Sequence, residues 1–166
     1  MVKRSGDEHY MSLAVEAARR AAALGEVPIG AVIVQGGEVV ATAHNLRETW
    51  ADPTAHAELL ALRAASRRLG TWRLAECDLY VTLEPCPMCA GAVMLARVRR
   101  LIYGAADAKG GAVQSKLSVL QPGLWNHQPE ISAGILAEEC GMILKDFFQG
   151  LRRNNRSAAV ADESCG

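Results

Sequence analysis

The stretch DLYVTLEPCPMCAGAVMLARVRRLIYG, residues 78–104, decides how the rest of the chain is read. DLYVTL is rich in β-branched and aromatic side chains and reads as a short strand. CPMCAGAVMLARV is a helix candidate too apolar all round to carry a wet face. RRLIYG (99–104) reads as a second strand. A strand–helix–strand unit points to an α/β sheet, and right-handed crossovers then constrain where its helices lie.

Working outward, residues 7–24 form an amphipathic helix with Tyr10, Leu13, Val15, Ala17, Ala18, Ala21 and Leu24 on its apolar stripe. IGAVIVQGGEVVATAHN holds two β-branched runs around Gly36-Gly37, a hairpin pattern. Residues 45–52 are a polar loop. Asp52-Pro53 resembles an N-cap followed by proline at the first helical position, opening a helix that ends at Gly70. After the central unit, AADAKGGA (105–112) is a loop, residues 113–129 are read as a short helix and a loop around Pro122-Gly123, and EISAGI as a strand. LAEECGMILKDFFQGLRR is the C-terminal helix, and from Asn154 onward a disordered tail is expected. No repeat or linker interrupts residues 1–153, which are read as a single domain. The expected fold is α/β: a three-layer αβα sandwich with a mixed five-stranded sheet and helices on both faces, the helices of the two motifs described below lying side by side.

The 166 residues carry 18 Lys plus Arg and 18 Asp plus Glu, so the net charge is zero, which argues against a protein that coats nucleic acid non-specifically. The polar N-terminus has no signal-peptide core and no apolar run is long enough to span a membrane. A cytoplasmic protein is expected, and there five cysteines (Cys77, Cys86, Cys89, Cys140, Cys165) suit metal binding or burial better than disulfides.

Two motifs carry chemistry. HAE places His56 two positions before Glu58, and PCPMC places Cys86 and Cys89 three apart after a proline. On a helix the cysteines share a face and can grip one ion, with His56 as a third ligand. Partial positive charge at a helix N-terminus favours their thiolate forms. Three protein ligands leave a fourth position open to water, whose pKa falls to about 7 on zinc, and Glu58 is placed to accept a proton. A structural site closed by Cys77 or Cys140 is the alternative.

The combination H-x-E…P-C-x-x-C is the signature of the zinc nucleobase and nucleoside deaminases. EVPIGAVIV, DPTAHAE, LYVTLEPCPMCAGA, YGAADAKGGA and ILAEECGMILKDFF together resemble the bacterial tRNA-specific adenosine deaminases, across residues 7–153. This resemblance implies a cytidine deaminase-like fold and conversion of the anticodon wobble adenosine to inosine. It also implies one Zn2+ on His56, Cys86 and Cys89, and Glu58 as proton shuttle. Asn45 would lie at the base pocket, the loop from Ala105 through Asp107 to Lys109 would line the RNA path, and the protein would be a homodimer with a tRNA anticodon stem-loop as partner. Glu26 precedes a strand that lines the pocket and reads equally as a loop carboxylate. QPGLW (121–125) departs from the family pattern in a loop near the RNA.

Two basic stretches, 97–109 and 145–156, each hold an excess of three positive charges and are candidates for phosphate contacts. A deaminase of a free base or nucleotide such as guanine, cytosine or dCMP shares the zinc motif. A non-catalytic zinc module would leave Glu58 without a purpose.

Overall fold

The structure is a computed structural model and describes residues 6–163. Five strands form one sheet in the order β2-β1-β3-β4-β5: β1 (Gly30–Gln35), β2 (Glu38–His44), β3 (Cys77–Leu83), β4 (Arg100–Ala105) and β5 (Glu130–Ala133). β1 pairs antiparallel with β2 and β3, whereas β3–β4 and β4–β5 are parallel, so the sheet is mixed. The hairpin turns at Gly36 and Gly37, both with positive φ, where glycine carries no Cβ penalty.

Alternation along the strands divides the core in two. Ala31, Ile33, Leu79, Val81, Leu101 and Tyr103 face one side and pack with α2 (Ala57–Leu69) and α3 (Pro87–Leu95). Val32, Val34, Tyr80 and Ile102 face the other and pack with α1 (Gly6–Ala23) and α4 (Ala137–Glu163). The two motif helices therefore lie together on one face, as right-handed crossovers require. On the opposite face α1 approaches β1 so closely that a Cβ on Gly30 would lie 1.9 Å from the Ala14 carbonyl oxygen. Asp7, at the start of α1, is clamped by Arg100 (2.9 Å) and by the Tyr80 hydroxyl (2.7 Å).

Three expectations are corrected. The second helix begins at Ala57 rather than at Pro53. Asp52 caps a tight turn instead, its Oδ1 accepting from the Thr54 N–H (2.8 Å) and hydroxyl (2.7 Å). Residues 113–129 hold no helix: the crossover from β4 to β5 is a loop whose Ala112, Val113 and Leu120 fill the space over the sheet. Finally, α4 continues to Glu163, so residues 154–163 are helical rather than disordered. That segment contains no Gly or Pro to stop a helix, and its side chains through Ala158 are exposed. Cys165 lies outside the described residues. Among them no helix is long and apolar enough to cross a membrane.

Candidate active site

The two motifs meet because each puts a ligand-type side chain at the start of a helix. His56 is the N-cap of α2 and Cys86 the N-cap of α3, both with extended backbone, and neither uses its side chain to cap. Ser, Thr, Asp or Asn would ordinarily stand there and be consumed by the helix's own N–H groups. Pro87 follows Cys86 at a position where a missing N–H costs nothing. Cys89 lies in the first turn of α3 and Glu58 in the first turn of α2.

The Nδ1 atom of His56 lies 3.7 Å from Cys86 Sγ and 3.6 Å from Cys89 Sγ. All three donor atoms fall within 4.8 Å of one another, and among the described residues no further His, Cys, Asp or Glu joins them. Tetrahedral zinc, with bonds of about 2.3 Å to sulfur and about 2.0 Å to nitrogen, sets neighbouring S and N donors about 3.6 Å apart. The donor set thus fits a metal ion in type and spacing. Cys77 sits in the core on the α2/α3 side, and Cys140 packs in the core of the other face against Gly104. Neither reaches the cluster, so the alternative of a shell closed by Cys77 or Cys140 fails.

The electrostatics follow from proximity and burial. A hydrogen bond from Cys89 pulls Cys86 down to about 4, against burial and with help from His56. The same contact, burial and the neighbouring Glu58 carboxylate push Cys89 up. The hydrogen bond to Cys86 raises His56 despite its partial burial. A cation between the three donors reverses the penalty on Cys89 by supplying the positive charge that two thiolates need. Glu58 is 4% exposed, and its Oε2 is buried without a hydrogen-bond partner. Burial, reinforced by Cys86, raises its carboxyl to about 7.

The other sequence candidates are placed less directly. Asn45 is buried, but its amide is engaged by protein: Nδ2 donates to the Val27 carbonyl (3.3 Å) and reaches Glu26 (3.5 Å), while Oδ1 accepts the Arg47 N–H (3.1 Å). Glu26 is likewise buried and accepts the Thr49 N–H at 2.5 Å, so it braces the loop leading to His56. Ala105 accepts the Glu84 N–H through its carbonyl (2.8 Å). Asp107 folds its carboxylate onto the N–H groups of Lys109 and Gly110, which leaves the Lys109 side chain exposed on the rim.

Of the two basic stretches, the first is largely spent internally. Arg99 pairs with Asp78, and Arg100 with Asp7 and Asp78, at the opposite end of the strands from the cluster. Arg152, Arg153 and Arg156 instead line an exposed groove with Gln149 on α4. A wider groove of about 720 Å³ between Arg19 of α1 and the start of α4 lies on the far face of the sheet and contains no member of the cluster.

The residue that sequence reading missed is Glu84. It is 2% exposed, and burial alone would raise its carboxyl. Hydrogen bonds from the N–H of Gln114, from both the hydroxyl and the N–H of Ser115, and from the N–H of Asp107 pull it down to about 2.

Residues 5–152 match the MafB19-like deaminase family, and the chain belongs to it. The tRNA-specific adenosine deaminase of Bacillus subtilis (strain 168) is 53% identical over 152 residues, which is 92% of this chain and 94% of that protein. The Haemophilus influenzae protein of the same name is 44% identical over 156 residues, 93% of this chain and 90% of its own. A structure solved in work on A-to-I editing by tRNA:A34 deaminases at the wobble position of transfer RNA superposes with a TM-score of 0.78 at 49% identity, over 82% of this chain and 99% of that one. A guanine deaminase from Nitrosomonas europaea shares the fold more distantly, with a TM-score of 0.75 at 26% identity over 84% and 83% of the two chains.

Proposed function

We propose that this chain is a hydrolytic deaminase that converts adenosine to inosine at the wobble position of a tRNA anticodon. The carrying observation is the three-donor cluster with a buried carboxyl beside it, one of whose oxygens, Oε2, has no hydrogen-bond partner. A structural module would use four protein donors and has no need of Glu58. The choice of tRNA over a free base rests on the tRNA-specific adenosine deaminases, similar to this chain over nearly all of both lengths.

His56 Nδ1, Cys86 Sγ and Cys89 Sγ would hold a zinc ion, which would supply Lewis acidity and lower the pKa of water to about 7. N/S donors favour it over magnesium or calcium. Glu58 does the proton work. It accepts one proton of the attacking water as water adds to C6 of adenine and delivers it to N1, then accepts the proton of the new C6 hydroxyl and delivers it to the departing amine, so ammonia leaves and inosine remains. A carboxyl raised to about 7 gains and loses protons with little driving force lost at neutral pH. Glu58 is not a metal ligand in this scheme. Asn45 and the rim formed by Ala105, Asp107 and Lys109 border the base, and Arg152, Arg153 and Arg156, exposed along α4, meet phosphates.

A single-stranded anticodon loop suits such a site because no duplex has to be opened. Two copies of the chain pair in this reading. Trp72 and Leu95 are 59% and 65% exposed around an apolar groove that also includes Leu59, Leu62 and Ala92, between α2 and α3. A second chain covers apolar surface of this kind. A cytoplasmic location accords with this substrate.

The test is to incubate the metal-loaded protein with an anticodon stem-loop carrying adenosine at the wobble position, and separately with guanine, cytidine and adenosine, assaying ammonia and inosine. Inosine in the stem-loop is expected. Turnover of a free base alone would overturn the substrate assignment, and no turnover with a fourth protein ligand on the metal would favour a structural module.

A further inference from the structure

We infer that Glu84 is a positioning residue that fixes the wall of the site, residues 107–115, against the turn that carries Cys86. It deepens the reading of this site as one that takes a base from an RNA loop.

The connection from β4 to β5 has neither helix nor strand, so few regular main-chain bonds hold it. Its near half is gathered instead onto one carboxylate. Glu84 accepts the N–H groups of Asp107 (3.0 Å), Val113 (3.1 Å), Gln114 (2.8 Å) and Ser115 (2.9 Å), and the hydroxyl of Ser115. Among the described residues it has no ion-pair partner, so amide dipoles of a single loop offset its charge, as in an anion nest turned inward. Gly111 lets the loop close: a Cβ there would lie 2.4 Å from the carboxylate carbon of Glu84. Two main-chain bonds stitch the same region to the ligand turn, Glu84 N–H to Ala105 O and Ala112 N–H to Pro85 O, both 2.8 Å.

Geometry gives this arrangement its consequence. β3 and β4 are parallel neighbours, so their carboxyl ends emerge together. One leads within three residues to Cys86 and the other to the exposed rim at Ala106, Ala108 and Lys109. Substrates of parallel sheets bind at such ends. Glu84 sets the distance between the reacting centre and the rim without touching either the substrate or the metal. Loosening it should weaken the fit of a large substrate and leave the chemical step intact.

The experiment uses full-length, metal-loaded Glu84→Gln and Ser115→Ala. Glutamine keeps the shape but turns an N–H₂ toward a cluster of donors. Ser115→Ala removes one donor at an exposed position, so it remains folded if the first variant is impaired. Metal content, hydrogen exchange of peptides covering 107–115, and kcat and KM on the stem-loop are measured together. Faster exchange confined to that segment is expected in both variants and smaller in Ser115→Ala. KM should rise about tenfold or more in Glu84→Gln, with kcat within about threefold and one metal per chain. Unchanged exchange, unchanged KM, or a fall in kcat that tracks metal loss would each overturn the assignment. If the parent protein turns over only a free base, the tRNA reading fails. The exchange measurement, with KM for that base, then still decides the role of Glu84.

Discussion

Replacing Glu58 with glutamine isolates the proton shuttle from everything else in the site. The change keeps the shape of the side chain and the fold of α2, but an amide can neither accept nor deliver the transferred proton. Two transfers at least are assigned to this one carboxyl, to N1 and to the leaving amine. At 4% exposure bulk water has little access to substitute for it. General acid–base assistance contributes about 10²–10⁴-fold per transfer, so a loss of at least about 10⁴ in kcat is expected, or ~5 kcal/mol of barrier. Metal binding should not change, because the three donors that lie together are His56, Cys86 and Cys89. Nor should the fold suffer, since Oε2 makes no hydrogen bond that the substitution would break. Single-turnover deamination of the stem-loop, metal analysis after gel filtration, and a thermal melt form the assay. A variant that loses its metal, or keeps activity within about a hundredfold of the parent, would refute the assignment of Glu58 as shuttle rather than ligand or bystander.

Cys86→Ala leaves two of the three donors, and metal analysis after dialysis should show stoichiometry well below that of the parent, with turnover lost in proportion. Gly30→Ala drives a methyl group into the main chain of α1 at Ala14, and overpacking of this kind costs about 1–3 kcal/mol, so the Tm should fall by roughly 2–12 °C. On the proposed pairing, the parent should scatter light as two chains, and Leu95→Glu, which places a charge in the apolar surface between α2 and α3, as one. Asp7 gives a pH dependence. Arg100 holds its carboxyl below the ordinary 3.8, against burial and with help from Tyr80. A depressed folded-state value gives stability that is complete above 3.8 and is lost as pH falls through the folded-state value. Asp7→Asn should therefore lower the Tm at pH 7, and the gap to the parent should close on acidification; a constant gap from pH 7 to pH 2 would contradict the ion pair's contribution.

What the sequence made legible was whatever depends on a side chain's type and period. The strands at 30–35, 77–83 and 100–105 alternate between two buried faces, and β-branched residues at those positions mark them without any tertiary knowledge. The His/Cys/Cys set was legible for the same reason: few residue types bind metals, and their spacing is compact. Main-chain partnerships were hidden. Asp52-Pro53 carries the composition of a helix start, yet the Asp52 side chain turns onto Thr54 and delays the helix until His56 stands at its N-cap. Arg99 and Arg100 counted as a basic patch because a sum over sequence ignores Asp78 and Asp7, which reach them from 21 and 93 positions away. Glu84 looked like any acidic residue before a proline, since four of its five donor groups are backbone N–H groups that every residue possesses.

Glu58 and Glu84 show why identity alone could not assign these roles. Both are glutamates, both almost fully buried, and both stand within two residues of a candidate metal ligand. Burial penalises the charged form of each to begin with. For Glu58 burial outweighs its own backbone N–H and the nearby His56 and Cys89, so the carboxyl rises to about 7 and Oε2 has no hydrogen-bond partner. For Glu84 a loop supplies five donors, so the carboxyl falls to about 2 and stays ionised throughout the neutral range. A group near neutrality can exchange protons at every turnover, whereas one fixed as an anion can only hold its donors in place. The difference resides in where the amide groups of residues 107–115 point. A substitution that redirects them, such as a side chain at Gly111, would therefore displace the wall even though Glu84 itself is untouched.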